Sequence, residues 1–294
     1  MYDVCETFSA KTVLEALTLQ REHHGAVIVA GGTDVMIRMK ERKLTEATLI
    51  SIMEVEELKF ICLDGNGNLL IGPGVCFDHI YNSDLVRRCT PMLAYACNEV
   101  GSPQIRHVAT IGGNLCNGAV SADSVPSLLA LGAELTLTSL LGERTVPAIA
   151  FHTGPGKTVL DRDREILTCI RIPKANFEGH GGKYLKFGQR NAMEISTLGC
   201  AVNCKLDADG TISDFAIAFG VAAPKPVRCP KAEAGMIGKI PTEALLSELK
   251  QAVLTETSPR DSWRASKELR VQLIKELAAR AAAAAIIEAG GKLQ

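Results

Sequence analysis

Two glycine pairs, each directly after a short apolar run, constrain this chain more than any other feature of its sequence. The first pair, Gly31-Gly32, follows residues 26–30, and the second pair, Gly112-Gly113, follows residues 108–111. A glycine turn exposes successive backbone N–H groups and has no Cβ to hold a ligand away. N–H groups that point into one concavity bind anions. Two such nests suit a diphosphate, so the sequence predicts a dinucleotide site that uses backbone groups instead of lysines.

Each pair taken alone is more simply explained as an ordinary tight turn. Ligand binding is favoured because both pairs end an apolar run and neither has a lysine beside it. Two familiar phosphate-binding signatures do not occur in the sequence, namely the P-loop pattern G-x-x-x-x-G-K-[ST] and the Rossmann pattern G-x-G-x-x-G. A dinucleotide site in this chain must therefore use another architecture.

The balance of charges and the distribution of apolar residues exclude several classes of protein. The chain has 32 basic and 33 acidic residues, whereas a nucleic-acid-binding protein usually carries a basic face. No apolar run reaches the length of a membrane span. The first residues also lack the basic and then apolar pattern of a signal peptide. We therefore expect a cytoplasmic protein that binds neither nucleic acid nor membranes.

Ten cysteines and six histidines raise the question of a metal or iron–sulfur site. The sequence has no C-x-x-C pair and no cluster of four cysteines, and its histidines lack metal-ligand spacing. Cys200 and Cys204 lie four residues apart in an apolar run that is typical of a strand. There they would share one face as small buried thiols. We expect no metal in this chain.

Apolar periodicity and turn signals divide the chain into three units, at residues 1–54, 55–178 and 179–294. The first unit is predicted to contain a helix over 9–25, a helical turn from 34 to 42, and strands over 26–30 and 48–52. The second is predicted to contain a hairpin of 59–63 and 69–71, helices over 78–100 and 125–131, and strands over 134–139 and 165–172. The third is predicted to contain antiparallel strands over 183–187, 198–206 and 212–221, and then helices over 229–237, 242–256 and 262–289. The fold class is α+β.

Asp123, ten residues after the second glycine pair, is a carboxylate that invites a functional interpretation. It lies just before the predicted helix 125–131, where a helix N-cap shared with Ser124 is the interpretation that residue physics favours. The alternative is a carboxylate that accepts hydrogen bonds from ribose hydroxyls. No nucleophile and general base occur at a spacing typical of catalysis. That absence suits a flavin, which carries its own redox chemistry while the protein binds and orients it.

Several motifs, in the same order along the chain, resemble the FAD-binding subunits of the molybdenum hydroxylases, which include xanthine dehydrogenase and carbon monoxide dehydrogenase. The resemblance covers nearly the whole chain and most closely matches the bacterial xanthine dehydrogenase type. The matching segments are residues 29–34, 104–106, 109–117 with Asp123, 128–133, 165–167 with 172–173, and 220–224 with 226–228.

The resemblance implies a two-subdomain FAD-binding fold of the vanillyl-alcohol oxidase and CO dehydrogenase flavoprotein type. A three-stranded antiparallel sheet with a helical bundle would follow at the C-terminus. The cofactor FAD would contact the first glycine segment at Ala30, Gly31, Gly32, Thr33, Asp34 and Val35, with Val35 on the isoalloxazine ring. A second set of contacts would come from Thr110, Gly113 and Asn114, and Asp123 would bind the ribose or adenine side. Backbone at Ile166 and Leu167 would meet the polar edge of the ring, and Lys186 would place a positive charge near it.

The resemblance also implies partners and an acceptor. Electrons from a purine at the molybdenum centre of a second subunit would pass through the iron–sulfur clusters of a third subunit to FAD in this chain, and then to NAD. Two alternatives remain open. One is a self-sufficient flavin reductase or oxidase of the same fold, and the other is a nucleotide-binding assembly module without a redox role.

Overall fold

The computed structural model describes residues 2–294, and the first of its sheets is parallel. This unit consists of β1 (Val4–Ser9), α1 (Val13–Glu22), β2 (Val27–Val29), α2 (Val35–Lys40) and β3 (Ala47–Ser51). The strand order is β1-β3-β2. Thr12 begins α1 because its Oγ1 accepts a hydrogen bond from the backbone of Glu15 at 3.1 Å. Strand β1 was not predicted, since it is an exposed edge strand whose residues give no buried, alternating pattern.

The second sheet is antiparallel, with strand order β4-β5-β10-β6-β7. Its strands are β4 (Ile61–Leu63), β5 (Leu69–Ile71), β6 (Glu134–Ser139), β7 (Gly142–Pro147) and β10 (Ile166–Ile172), with a separate small hairpin of β8 (His152–Gly154) and β9 (Lys157–Thr158). Between β5 and β6 the chain forms α3 (Phe77–Asn82), α4 (Asp84–Cys89), α5 (Pro91–Asn98), α6 (Pro103–Arg106), α7 (Ile111–Asn117) and α8 (Ser124–Ala130), and α9 (Ala148–Phe151) follows β7.

The third sheet is antiparallel, with strand order β11-β12-β13-β14, and it is covered on both faces. Its strands are β11 (His180–Phe187), β12 (Leu198–Leu206), β13 (Ile212–Gly220) and β14 (Val227–Arg228), and the helices after them are α10 (Pro230–Ala234), α11 (Glu243–Ala252) and α12 (Lys267–Glu288). Helix α8 packs on β12 and β13, whereas α12 packs on β11 and β12. Cys200 and Cys204 are buried together in the core that includes α12, as predicted, and Ala201 faces the other core.

Three predicted elements differ from the structure. The third sheet has a fourth, two-residue strand, β14, instead of three strands alone. The helix predicted over 78–100 is three short helices, because Ser83 caps α4 through a bond from Val86 N, and Pro91 begins α5. The second glycine pair, which was predicted to form a turn after an apolar run, lies in the first turn of α7 instead. The proposed boundaries after residues 54 and 178 stay a prediction.

A buried histidine beside α7 allows a test of the packing in the second unit. His152 is 2% exposed, and its Nε2 donates to the carbonyl of Leu115 at 3.1 Å, while its Nδ1 has no partner among the described residues. Burial lowers the pKa of His152 below its ordinary 6.5. The unfolded chain therefore binds a proton more readily than the folded chain just below pH 6.5, and folding stability is lost as the pH falls through this range.

We predict that His152→Gln makes the free energy of unfolding less sensitive to pH below about 6.5. The native histidine contributes a slope of at most about 1.4 kcal/mol per pH unit there, and glutamine does not titrate. Denaturant unfolding at a series of pH values measures the slope. The same substitution at the exposed His24 is the control. Equal slopes for the native chain and His152→Gln would contradict the prediction.

Candidate cofactor site

The first glycine segment forms a nest of free backbone donors between β2 and α2. The N–H groups of residues 31–34 have no hydrogen-bond partner among the described residues. Gly32 has φ +70°, a left-handed conformation that glycine adopts without strain. The carbonyls of Gly32 and Asp34 instead accept bonds from Met36 and Arg38 in α2. Four consecutive free donors are a group that an anion such as a diphosphate satisfies.

The second glycine pair is not such a nest, so the prediction of a second set of free backbone donors is wrong. The N–H of Ile111 donates to Val75 O at 3.1 Å, that of Gly112 to Pro73 O at 2.9 Å, and that of Gly113 to Thr110 Oγ1 at 3.1 Å. Gly112 is required for packing, because a Cβ there would lie 2.3 Å from the Cβ of Pro73.

Two side-chain groups at the same place keep free protons. Thr110 Oγ1 accepts from Gly113, but its own hydroxyl proton has no acceptor among the described residues. Asn114 Oδ1 accepts from Ser124 Oγ at 2.8 Å, which leaves both Nδ2 protons without an acceptor there. Thr110 and Asn114 therefore offer three neutral donors beside the first turn of α7.

The two glycine segments meet through their backbones. A Cβ built on Gly31 would lie 1.9 Å from the carbonyl oxygen of Val108, which leads into Thr110 and α7. Next to this contact is a cleft of about 380 Å³ between the first and second units. Ala30 and Met53 line it from the first unit, and Thr110, Lys59 and His79 line it from the second. The cleft therefore reaches Ala30, the residue before the nest, and Thr110, the first of the free side-chain donors.

Asp123 is buried and does not act as a helix cap. It stands before α8 in helical conformation, and its side chain makes no capping hydrogen bond, so the interpretation as an N-cap is wrong. Its Oδ1 accepts from the hydroxyls of Tyr184, at 2.7 Å, and Ser196, and its Oδ2 accepts from Lys186 Nζ at 2.9 Å. Burial raises the pKa of Asp123, and Lys186 with the hydroxyl donors opposes that rise.

Lys186 lies in the same cluster, which changes the roles expected for both residues. Its Nζ also donates to the carbonyl of Glu99 at 2.7 Å, and only 9% of its side chain is exposed. The expected positions put Asp123 at the ribose or adenine side and Lys186 at the flavin ring. Because their charged groups are 2.9 Å apart, an extended FAD reaches both only at one of its ends.

The other candidate residues are placed by packing. Ile166 and Leu167 are 4% and 3% exposed at the start of β10, so only their backbone is left to meet a ligand. Val35 begins α2, and its side chain is half-buried against the core that contains Met39 and Leu49. Among residues 2–294, no three His, Cys, Asp or Glu side chains form a group that could hold a metal ion.

Sequence reasoning missed two members of the buried cluster, Tyr184 and Ser196. A signal for Tyr184 existed, since it lies two residues before Lys186 in a strand and therefore shares its face. A second signal is Gly199, which pairs with Lys186 on β12 and where a Cβ would lie 2.8 Å from the hydroxyl of Tyr184. Ser196 lies in the loop before β12, where no periodicity indicates direction.

One unit with a parallel sheet and one with an antiparallel sheet enclose a cleft beside a backbone anion nest, and this arrangement is that of a dinucleotide-binding protein. Comparisons with known proteins identify the family. The chain matches the family model described as FAD binding domain in molybdopterin dehydrogenase over residues 3–175, and the CO dehydrogenase flavoprotein C-terminal domain over residues 183–285. It is 40% identical over 294 residues, which is 100% of both chains, to the xanthine dehydrogenase FAD-binding subunit of Escherichia coli O157:H7.

More distant relatives and solved structures agree with this assignment. The nicotinate dehydrogenase FAD-subunit of Eubacterium barkeri is 31% identical over 281 residues, 92% of this chain and 94% of that one. A chain of carbon monoxide dehydrogenase from Hydrogenophaga pseudoflava superimposes with a TM-score of 0.93 at 29% identity, over 98% of this chain and 99% of that chain. These likenesses confirm the predicted fold class.

The chain belongs to the family of FAD-binding subunits of molybdopterin dehydrogenases. It is an FAD-dependent oxidoreductase subunit of the xanthine dehydrogenase type, and its cofactor is FAD. Among residues 2–294, no helix combines the length and apolar character that crossing a membrane requires.

The close approach of Gly31 to Val108 allows a steric test of the site. We expect Gly31→Ala to push the first unit away from Val108 and to abolish FAD retention, because its Cβ would lie 1.9 Å from a backbone oxygen. The visible absorbance of the purified protein measures bound FAD, and thermal unfolding measures stability.

Gly65→Ala is the matched control, since a Cβ there meets no atom within 4 Å. It should retain FAD at the native level. If Gly31→Ala retained FAD as well as Gly65→Ala does, the contact between the two glycine segments would not be needed for the site.

Proposed function

We propose that this chain holds the FAD diphosphate on the nest of residues 31–34 and passes electrons within a multi-subunit molybdenum hydroxylase of the xanthine or purine dehydrogenase type. The observation that carries the binding mode is the row of four backbone N–H groups without partners, at the edge of the cleft. Such dipoles stabilise an anion without placing a side chain in the site. The residues fit an anion, because Gly31 admits the close approach to Val108 and Gly32 adopts φ +70° without strain, and together they leave the four N–H groups free.

Side chains of α7 complete the binding site in this proposal. Thr110 lines the cleft, and the Thr110 hydroxyl and the Asn114 amide would donate their free protons to the same ligand as the nest. The bond from Ser124 to Asn114 Oδ1 fixes which end of the amide is left to donate. The N–H of Gly113 already donates to Thr110 Oγ1. Gly113 therefore contributes space, because a Cβ there would lie 3.0 Å from that oxygen.

The remaining candidates are assigned to the ring end of the cofactor. Backbone at Ile166 and Leu167 would meet the polar edge of the ring, Val35 would cover it, and the Asp123–Lys186 pair would lie beside it. Bound FAD would supply the redox chemistry, accepting electrons and passing them on. The protein's part would be to bind and orient the ring and to set its electrostatic environment.

The partners follow from the family. The Escherichia coli relative is a xanthine dehydrogenase subunit, and a solved relative is part of a Cu,Mo-CO dehydrogenase. We infer that this chain assembles with a molybdenum-cofactor subunit and an iron–sulfur subunit as a heterotrimer. NAD is the proposed acceptor, because the full-length similarity is to xanthine dehydrogenase.

Co-purification from the native source tests the assembly, and NADH tests the acceptor. We expect a tagged chain to bring two further subunits with it, one holding iron–sulfur clusters and one holding molybdenum. We expect NADH to bleach the visible flavin absorbance of the complex under anaerobic conditions. A chain that purifies alone with a reducible flavin would favour the self-sufficient enzyme, and an FAD that neither NADH nor the partners reduce would favour the assembly module.

Asn114→Asp is predicted to weaken FAD binding by about tenfold to a hundredfold, the loss expected when a hydrogen bond to a charged group is removed. Aspartate keeps the acceptor for Ser124 Oγ and the side-chain shape, but it offers no donor and repels a diphosphate. Quenching of flavin fluorescence on titration measures the affinity.

The control for Asn114→Asp is Ser124→Ala, which removes the bond to Asn114 Oδ1 and leaves the amide donors in place. It should weaken binding less than Asn114→Asp does. Equal affinities for Asn114→Asp and the native chain would remove Asn114 from the site.

A further inference from the structure

Four polar side chains form a buried cluster at the junction of α8, β11 and the loop before β12. We propose that Asp123 neutralises the charge of Lys186 beside the flavin ring and so keeps the midpoint potential of bound FAD below the value that an unpaired lysine would produce. Tyr184 and Ser196 are the positioning residues that hold Asp123 in place. This inference rests on the proposed arrangement of FAD.

The cluster is built as a closed set of charges and donors. Asp123, Tyr184 and Ser196 are 6%, 1% and 3% exposed. Among residues 2–294, the groups that donate hydrogen bonds to the Asp123 carboxylate are the two hydroxyls and the ammonium of Lys186. An ionised carboxylate accepts and does not donate, so its ionised form satisfies every one of these contacts. Burial holds the pKa of Tyr184 well above its ordinary value, which keeps the phenol a donor.

Lys186 therefore presents little net charge to its surroundings. Asp123 and Glu99 take two of the three N–H donors of its ammonium, at 2.9 and 2.7 Å, and the carboxylate cancels its charge at short range. Charges interact strongly in a buried, weakly screened setting. A cation beside a reduced, anionic flavin stabilises it and raises its potential, so a neutral pair raises it less than a cation alone.

One hydrogen bond connects the segment that carries Asp123 to a proposed FAD contact. Ser124, the residue after Asp123, donates to Asn114 at 2.8 Å, and Asn114 is a proposed FAD contact. On the opposite side, β12 has a glycine across from Lys186, and the Tyr184 hydroxyl occupies the space that a Cβ at Gly199 would take. The backbone is thus shaped to admit the hydroxyl that holds Asp123.

A double-variant cycle on FAD bound to the purified complex tests the inference. Asp123→Asn is expected to shift the flavin midpoint potential upward, measured by spectroelectrochemistry, because Lys186 loses its counter-charge. Lys186→Met should not raise the potential. The double variant, Asp123→Asn with Lys186→Met, should return the potential toward the native value. If Asp123 had only a structural role, the double variant would not bring the midpoint potential back toward the native value.

Tyr184→Phe is the milder variant if Asp123→Asn does not retain FAD. It removes one donor from the carboxylate and should shift the potential in the same direction by a smaller amount. Tyr81→Phe is its control, since no hydrogen bond of the Tyr81 hydroxyl occurs among the described residues. The control should leave the potential unchanged.

The outcomes separate this inference from the proposed function. A native complex without FAD would overturn the proposed binding site and this inference with it. A native complex with FAD, but with equal potentials for Asp123→Asn, Tyr184→Phe and the native protein, would overturn only the inference. If these variants bound FAD more weakly but left its midpoint potential unchanged, the Asp123–Lys186 pair would lie at the adenosine end of FAD. That result would also overturn the inference.

Discussion

The backbone contact between Gly31 and Val108 is the constraint on which the site depends. It brings the loop after β2 within van der Waals distance of the segment that enters α7, at a point where no side chain fits. Beside this contact lies the cleft, which Ala30 lines from the first unit and Thr110 from the second. A nest that belongs to one unit and donors that belong to the other can then serve one ligand. Neither unit holds both sets of groups by itself.

The third unit contributes to the site through a sheet that is buried on both faces. One face of β12 packs with α12 and the other faces α8, so the strand cannot shift by a residue without exposing apolar groups. This fixes the register that sets Lys186 opposite Gly199. Because α8 begins at the residue after Asp123, the same packing holds the carboxylate against Tyr184. Rigid packing thus accounts for an ion pair within the protein interior.

Local patterns in the sequence predicted most of the fold, and the failures have physical causes. Strands β6, β10, β12 and β13 were predicted because they are apolar and bounded by turn residues. The exposed edge strand β1 and the two-residue β14 carry no such pattern. The second glycine pair looked like the first, yet it is helical. What separates them is the partner of each N–H group: in the second pair, Gly112 donates to Pro73 in a distant loop and Gly113 to the capping hydroxyl of Thr110.

The site was predicted unevenly for the same reason. The free backbone donors of the first glycine segment could be predicted because they belong to the segment itself, whose conformation the residue types determine directly. The roles of Asp123 and Lys186 could not be separated from their tertiary partners, since these residues are 63 positions apart and meet only in the folded chain. A cation inferred from sequence alone carries a full charge, whereas the folded protein supplies its counter-ion. The electrostatic property that matters for a redox cofactor therefore belongs to the pair, and the fold that assembles the pair determines it.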